Sequence, residues 1–189
     1  MSDQDKWDKR YDTSQYIHGY GPSQYLYSNR GHLPASGLAL DLAAGEGRNS
    51  VFLAHAGLEV IALDISIRAL KKCLGLARET GCTVHVAAVD LDRFDIPAGK
   101  FDVIINFNYL QRRLSGQITR GLRPGGVLIF ETLTDEHLKS SPDFNPEFLL
   151  ARGELLETYR ELRLIKYREA SISEGAKARS VASLVAKKR

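Results

Sequence analysis

A five-residue apolar run, Leu38-Ala39-Leu40-Asp41-Leu42, passes straight into Ala43-Ala44-Gly45-Glu46-Gly47, and a helical pattern starts at Arg48. This succession limits the fold more than any other feature of the chain. A short, almost wholly apolar strand reads as one buried on both faces, as in a parallel sheet. A helix that begins within a few residues of its end must pack back across that sheet. The glycines between them supply backbone conformations that other residues adopt only at a cost.

The same alternation repeats downstream. The helix over Arg48–Ala56 is closed by Gly57, and Leu58–Leu63 forms a second strand. Ser66 caps a helix that runs to Glu79, with Ile67, Leu70, Leu74 and Ala77 read as its apolar stripe, and Gly81 ends it. Thr83–Val89 and Phe101–Asn106 are the third and fourth strands. A helix over Ser115–Leu122 follows, and a Pro124-Gly125-Gly126 turn leads into a fifth strand, Val127–Glu131. After a polar loop, Thr132–Pro146, and a short helix near Pro146–Leu150, the runs Leu162–Tyr167 and Ser180–Ala186 read as an antiparallel edge pair around a turn containing Gly175. The order is that of an α/β, doubly wound sheet with helices on both faces.

Residues 1–35 differ from this core, 36–189: six aromatic residues from Trp7 to Tyr27 lie among polar ones, and Gly19, Gly21 and Pro22 interrupt any long helix. A short helix over Pro22–Arg30 is expected, and the segment reads either as an arm against the core or as a lid over a ligand. With 189 residues the chain suits a single domain. A formal charge of only +3, from 26 basic and 23 acidic residues, argues against nucleic acid as the main partner. Cys73 and Cys82 lack the spacing of a redox or zinc motif, and the five histidines are scattered, so no metal site is expected. With no apolar run long enough to span a bilayer and no signal peptide, the expected compartment is the cytoplasm. A monomer or homodimer is expected.

In an open α/β sheet, ligands bind beyond the carboxyl ends of the strands, where the connections diverge. Asp41, Ala43, Gly45, Gly47 and Arg48 lie at such a position, where exposed backbone N–H groups and a helix start favour an anionic group. The spacing is neither a dinucleotide fingerprint nor a P-loop, since position 50 is serine. Asp64, followed by Ile65, ends the second strand, where a carboxylate can accept from a ribose diol. Asp90 and Leu91 end the third, suited to an adenine amine and ring. Asn106 and Tyr109 border the centre of the site. Tyr109, Arg112 and Tyr11 are candidates for a catalytic role, with Arg30 and Tyr16 also placed on the acceptor side. Arg112 and Arg113 read either as an anion clamp or as a solvated helix start.

These residues resemble the successive motifs of the class I S-adenosylmethionine-dependent methyltransferases. The likeness lies in Ala39-Leu-Asp-Leu-Ala-Ala-Gly-Glu-Gly-Arg-Asn-Ser50, Asp64, Asp90-Leu91, Phe101-Asp-Val-Ile104 and Leu122-Arg-Pro-Gly-Gly-Val-Leu128. It implies a Rossmann-like seven-stranded sheet whose last strand is antiparallel, S-adenosyl-L-methionine as cofactor, and in-line methyl transfer to a small-molecule acceptor. Trp7-Asp-Lys-Arg-Tyr11, Tyr20-Gly-Pro-Ser23 and Gly47-Arg-Asn-Ser50 are similar to the tellurite-resistance TehB-like branch, in which an N-terminal segment covers the cofactor. That branch's His pair after the fourth strand appears here as Gln111-Arg112, a departure that weighs against tellurite and leaves the acceptor open among an oxyanion, a thiol and other metabolites. Glu131-Thr132 and Asn145–Leu156 are similar to a bacterial subgroup of uncharacterised methyltransferases. The alternatives are a nicotinamide oxidoreductase, opposed by the glycine spacing, a non-catalytic cofactor-binding sensor, and an RNA or protein methyltransferase.

Overall fold

The computed structural model describes residues 2–174 and 177–189. Seven strands form one sheet: β1 (Leu38–Leu42), β2 (Glu59–Asp64), β3 (His85–Ala88), β4 (Phe101–Phe107), β5 (Leu122–Leu133), β6 (Arg163–Glu174) and β7 (Lys177–Lys187). Their order is β3-β2-β1-β4-β5-β7-β6. β1 to β5 pair in parallel, while β7 runs antiparallel to both β5 and β6. The chain moves outward from β1 to β3, then crosses back to place β4 on the other side of β1. That reversal opens a crevice at the carboxyl ends of β1 and β4.

Alternation along the strands divides the core in two. Leu40, Leu42, Ile104 and Leu128 face one layer, closed by Leu114, Ile118 and Leu155. Ala39, Val60, Ile105 and Ile129 face the other, closed by Val51, Leu53, Cys73 and Leu76. The helices that cover these faces are α3 (Arg48–His55), α4 (Ile67–Glu79), α5 (Ser115–Gly121) and α6 (Glu154–Thr158). The arm carries α1 (Asp3–Tyr11) and α2 (Gln24–Ser28), and Tyr25 and Leu26 of α2 are buried in the second layer.

The structure corrects several expectations. The buried stripe of α4 is Ala69, Leu70, Cys73, Leu76 and Ala77, whereas Ile67 and Leu74 are 43% and 39% exposed. Small residues on that face let α4 approach closely: a Cβ on Gly47 would lie 2.2 Å from Cys73 Sγ. Pro124-Gly125-Gly126 does not precede β5 but interrupts it. Phe101 pairs with Leu122 and Val103 with Val127, so the turn residues form an irregularity inside the strand. β3 is shorter than the apolar run suggested. The loop expected from Thr132 starts with the end of β5 and then contains a 3-10 turn, Asp135–Lys139. The short helix near Pro146 is likewise a 3-10 turn, Pro146–Phe148. The turn read at Gly175 lies outside the described residues.

Two helices were not expected at all. α1 is held by a capping box, in which Ser2 Oγ accepts from the Asp5 amide and the Asp5 carboxylate accepts from the Ser2 amide. Acidic residues in its first turn and basic ones in its last complement its dipole. α6 begins at Gly153, whose left-handed backbone turns the chain into the helix. Among the described residues no helix is long and apolar enough to cross a membrane.

Gly47 combines a φ of 85° with direct packing against Cys73. Gly47→Ala is expected to lose roughly 2–4 kcal/mol, adding overpacking to the left-handed penalty. Denaturant unfolding of Gly47→Ala and of Gly47→Ala/Cys73→Ala measures this. Replacing Cys73 should recover part of the loss, and no recovery would show that the Cys73 sulfur is not the obstacle.

Candidate active site

The crevice is organised by a carboxylate. Asp64, the last residue of β2, is buried; its Oδ2 accepts from the Gly45 amide at 2.8 Å and its Oδ1 from the Ser66 amide at 2.8 Å. The Ala44 amide bonds the Leu63 carbonyl at 2.9 Å, so the glycine turn is tied to β2 twice. Burial pushes the Asp64 carboxyl up, and the amides of Ser66, Gly45 and Ile65 pull it back. Ala43, Gly45 and Gly47 have positive φ angles of 54°, 57° and 85°, which keeps the turn tight enough to leave backbone facing the crevice.

The two glycines serve different neighbours. A Cβ on Gly47 would enter the protein toward Cys73, whereas one on Gly45 would lie 3.0 Å from Tyr11 Oη, on the side facing the arm. Tyr11 is buried, and desolvation together with Asp64 and Glu46 raises its phenol well above the ordinary value. Arg48 begins α3 and donates from Nη1 to the His18 carbonyl at 3.0 Å, joining that helix to the arm.

Asp41 lies beneath the turn. It is wholly buried and accepts a 2.6 Å hydrogen bond from Ser50 Oγ. Burial pushes its carboxyl up to about 7, against the opposing Ser50 hydrogen bond. Its place under the turn, bonded to α3, makes it a support for the crevice.

At the other end of the crevice Ser2, Asp3 and Gln4 of the arm face Ile65, Ala88, Val89, Asp90 and Arg93 across a cavity of about 400 Å³. Ile65 and Asp90 thus share one pocket, while Leu91 is buried in the first core layer. Asp90 Oδ1 accepts from the Asp92 amide at 3.0 Å, which shapes the turn after β3. Between the two ends, Asn106 is buried and donates from Nδ2 to the Tyr109 carbonyl at 2.7 Å. Asn108 adopts a left-handed conformation with φ 56° and accepts from Arg179 of β7. Tyr109 is half-buried, and desolvation with Asp92 and Asp90 nearby raises its phenol strongly.

Asp41, Ala43, Gly45, Gly47, Arg48, Asp64, Ile65, Asp90, Asn106 and Tyr109 therefore lie along one edge of the sheet. Other candidates do not join them. Arg112, read as a catalytic candidate or an anion clamp, makes four hydrogen bonds to Glu154 and to the carbonyls of Glu147 and Leu149. Arg113 is likewise engaged by Asp95 and by the Leu91 and Phe94 carbonyls. Arg30 lies over the Tyr27 ring and lines a groove with Leu33, Ala35 and His55, at the end of the sheet away from the glycine turn. Tyr16 donates to the Lys72 carbonyl on α4 at 2.9 Å and braces the arm.

Three residues that attach the arm escaped the sequence reading. Asp8 Oδ1 accepts from Ser66 Oγ at 2.6 Å and from the Arg68 amide at 3.0 Å, capping α4 from outside. Glu46 is buried and accepts from the Ile17 amide at 2.7 Å and from Lys72 Nζ at 2.8 Å. Lys72 also donates to the Gln15 carbonyl at 2.8 Å. The Ser2–Asp5 capping box was the one local signal of the helix that carries Asp8.

A glycine turn, an acid ending β2 and an acid beyond β3 meet at the switch point of this sheet, the position where open α/β sheets bind ligands. Residues 39–126 match the family of methyltransferase domains. The chain is 32% identical over 113 residues to a malonyl-[acyl-carrier protein] O-methyltransferase of Enterobacter lignolyticus, covering 56% of this chain and 43% of that one. It is 26% identical over 125 residues to a ubiquinone biosynthesis O-methyltransferase of Agrobacterium fabrum, covering 63% and 50%. The chain thus spans about half the length of the curated relatives it matches. Its fold superposes on TehB from Haemophilus influenzae with a TM-score of 0.73, at 19% identity, covering 98% of this chain and 67% of that one. It also superposes on a geranyl diphosphate C-methyltransferase from Streptomyces coelicolor, with a TM-score of 0.73 at 15% identity and 98% of both chains covered. Residues 39–126 are thus similar to methyltransferase domains, and the fold is the one shared with S-adenosylmethionine-dependent methyltransferases of known structure.

The residues fit that cofactor. At Gly45 a Cβ would crowd the Tyr11 hydroxyl at 3.0 Å, and the Gly45 amide is bonded to the Asp64 carboxylate. The cavity beside Ile65, Val89 and Asp90 offers apolar walls and an acceptor at one edge.

The raised Asp41 predicts a pH signature. Its folded-state value of about 7 exceeds the ordinary 3.8, so its stabilising protonation is complete below pH ~4 and is lost as the pH rises through 7. Between pH 5 and 7 wild type should lose about 2 kcal/mol relative to Asp41→Asn, whose amide does not titrate. Unfolding curves of both proteins at several pH values measure this. Parallel pH dependences would mean that Asp41 is ionised in the folded chain.

Proposed function

We propose that this chain binds S-adenosyl-L-methionine along the crevice and transfers its methyl group to a small-molecule acceptor in the cytoplasm. The observation that carries the reading is Asp64: a buried carboxylate that braces the Gly45 turn and stands beside the cavity containing Ile65 and Asp90. On this reading Asp64 accepts from the ribose hydroxyls, and Asp90 and Ile65 hold the adenine. The Gly45–Gly47 turn with Arg48 holds the methionine end. Asn106 and Tyr109 border the sulfonium.

The cofactor supplies the activated methyl when bound, so the protein's task is alignment. Asn106 fixes the loop after β4 through the Tyr109 carbonyl. A general base is needed only if the acceptor carries a proton that must leave. Related proteins act on acceptors as different as a malonyl-carrier protein and geranyl diphosphate, which is why the acceptor is sought by assay.

The arm, residues 1–35, acts as a lid on the core, 36–189. α1 extends from the adenine-end cavity at Ser2–Gln4 to the glycine turn at Tyr11. Nine residues at 1.5 Å each give about 13 Å, comparable to an extended nucleoside with a short side chain. Its attachments to α4, through Asp8, Asp12, Gln15 and Tyr16, are polar and able to break and re-form. The core is expected to act as a monomer or homodimer.

Thermal unfolding with S-adenosylmethionine, S-adenosylhomocysteine, NAD and NADP in turn tests the cofactor, since a ligand selective for the folded state raises the midpoint. A rise with the two sulfur compounds alone is expected; a rise with NAD or NADP alone would sink the reading. Asp64→Ala, if folded, should weaken S-adenosylhomocysteine binding by about 1–3 kcal/mol, the scale of a lost charged hydrogen bond. Asp8→Ala should speed release of S-adenosylhomocysteine in stopped-flow displacement; an unchanged rate would remove the lid from the scheme.

A further inference from the structure

The loop after β4 carries three consecutive polar side chains that hold different neighbours. Gln111 Nε2 donates to Asp92 Oδ1 at 2.5 Å. Arg113 donates to Asp95 Oδ1 at 3.0 Å and to the carbonyls of Leu91 and Phe94 at 3.1 and 2.6 Å. Both side chains therefore grip the turn after Asp90, next to the adenine-end cavity. Arg112 reaches the opposite way. Its Nε and Nη2 hold the two carboxylate oxygens of Glu154 at 2.6 and 3.0 Å. Its Nη1 and Nη2 also donate to the carbonyls of Glu147 and Leu149 at 2.8 and 2.9 Å.

The segment gripped by Arg112 lies beyond the end of β4. Leu150 bridges Thr134 in parallel; its amide bonds the Leu133 carbonyl, and its carbonyl accepts from the Asp135 amide. Thr134 donates on its other side to the Ser180 carbonyl of β7, so the segment occupies the β4 side of the β5 end. Glu154 also accepts from the Ala151 amide at 2.8 Å, so one carboxylate joins Arg112 to the backbone of that segment.

We propose that Gln111, Arg112 and Arg113 are positioning residues that set the two halves of the site separately. Arg113 with Gln111 holds the cofactor-side turn 91–95, and Arg112 with Glu154 holds the acceptor-side segment 147–154. The inference rests on the crevice being the methyl-transfer site. Both arginines grip backbone carbonyls as well as carboxylates, which fixes main chain and not merely side chains. The two-pronged geometry on Glu154 requires a guanidinium, and a lysine ammonium cannot reproduce it.

Two readouts test this: S-adenosylhomocysteine affinity by calorimetry, and amide hydrogen exchange of the two segments in the protein loaded with that compound. Arg113→Gln should weaken binding about 5–10-fold and speed exchange at 91–95, leaving 147–154 as in wild type. Arg112→Gln should leave affinity within twofold and speed exchange at 147–154 alone, with Glu154→Gln behaving the same way and Arg112→Lys giving no rescue. Equal losses of affinity in Arg112→Gln and Arg113→Gln, or faster exchange of both segments in each, would overturn the separation. Wild-type exchange at 147–154 in Arg112→Lys would overturn the two-pronged requirement. If wild type itself fails to bind S-adenosylhomocysteine, the cofactor reading fails, and exchange in the unloaded proteins still reports whether the two segments are held separately.

Discussion

The carboxylate of Asp64 is the interaction on which the rest of this edge of the molecule depends. It accepts the Gly45 amide from one connection and the Ser66 amide from the next, joining the turns after β1 and β2 at one buried point. Ser66 in turn donates its hydroxyl to Asp8 on the arm. A chain of short hydrogen bonds thus runs from the glycine turn through Asp64 and Ser66 to α1. Each link leaves fewer orphan donors at a helix or turn start, where buried N–H groups are costly if unpaired. The carboxylate retains further acceptor capacity, since its two oxygens offer about four lone-pair sites.

Three acids are buried around this point, and each is treated differently. Glu46 is neutralised by Lys72. Asp64 is held by backbone amides. Asp41 accepts from the Ser50 hydroxyl, and burial pushes its carboxyl up. Concentrating acids in a region of low dielectric costs stability, and such concentration is common where a protein needs a specific charge arrangement. It also explains why the arm is attached by polar contacts: Ile17, Gln15 and Tyr16 each complete a hydrogen bond next to Glu46 or Lys72.

Much of the fold was legible because it rests on local periodicity. β1 occupies the residues of the apolar run, the Ser66 cap lies where its sequence placed it, and α3 starts at Arg48. Errors arose where tertiary contact overrides pattern. In α4 the face that packs is chosen by the closeness of Gly47, which admits Cys73, and the larger Ile67 and Leu74 are left outward. At Pro124-Gly125-Gly126 the turn residues suggested a break, yet the pairing of Leu122 and Val127 with β4 and the backbone bonds of Gly125 and Gly126 to Lys188 carry the strand through it. α1 was missed because its composition is almost wholly polar; only its caps announce it.

The sequence by itself determined the class of fold and the edge of the sheet where the candidate site lies. Strand length, glycine position and the acids at strand ends are properties of neighbouring residues. Only the tertiary structure decided the partners of the long side chains. Arg112 and Arg113 are adjacent and chemically identical, and no local rule distinguishes them. One turns toward Glu154, 42 residues away, and the other toward Asp95, 18 residues away. A guanidinium goes where the fold supplies carboxylates and free carbonyls in the right plane, and those are brought together only when the connections after β3, β4 and β5 meet.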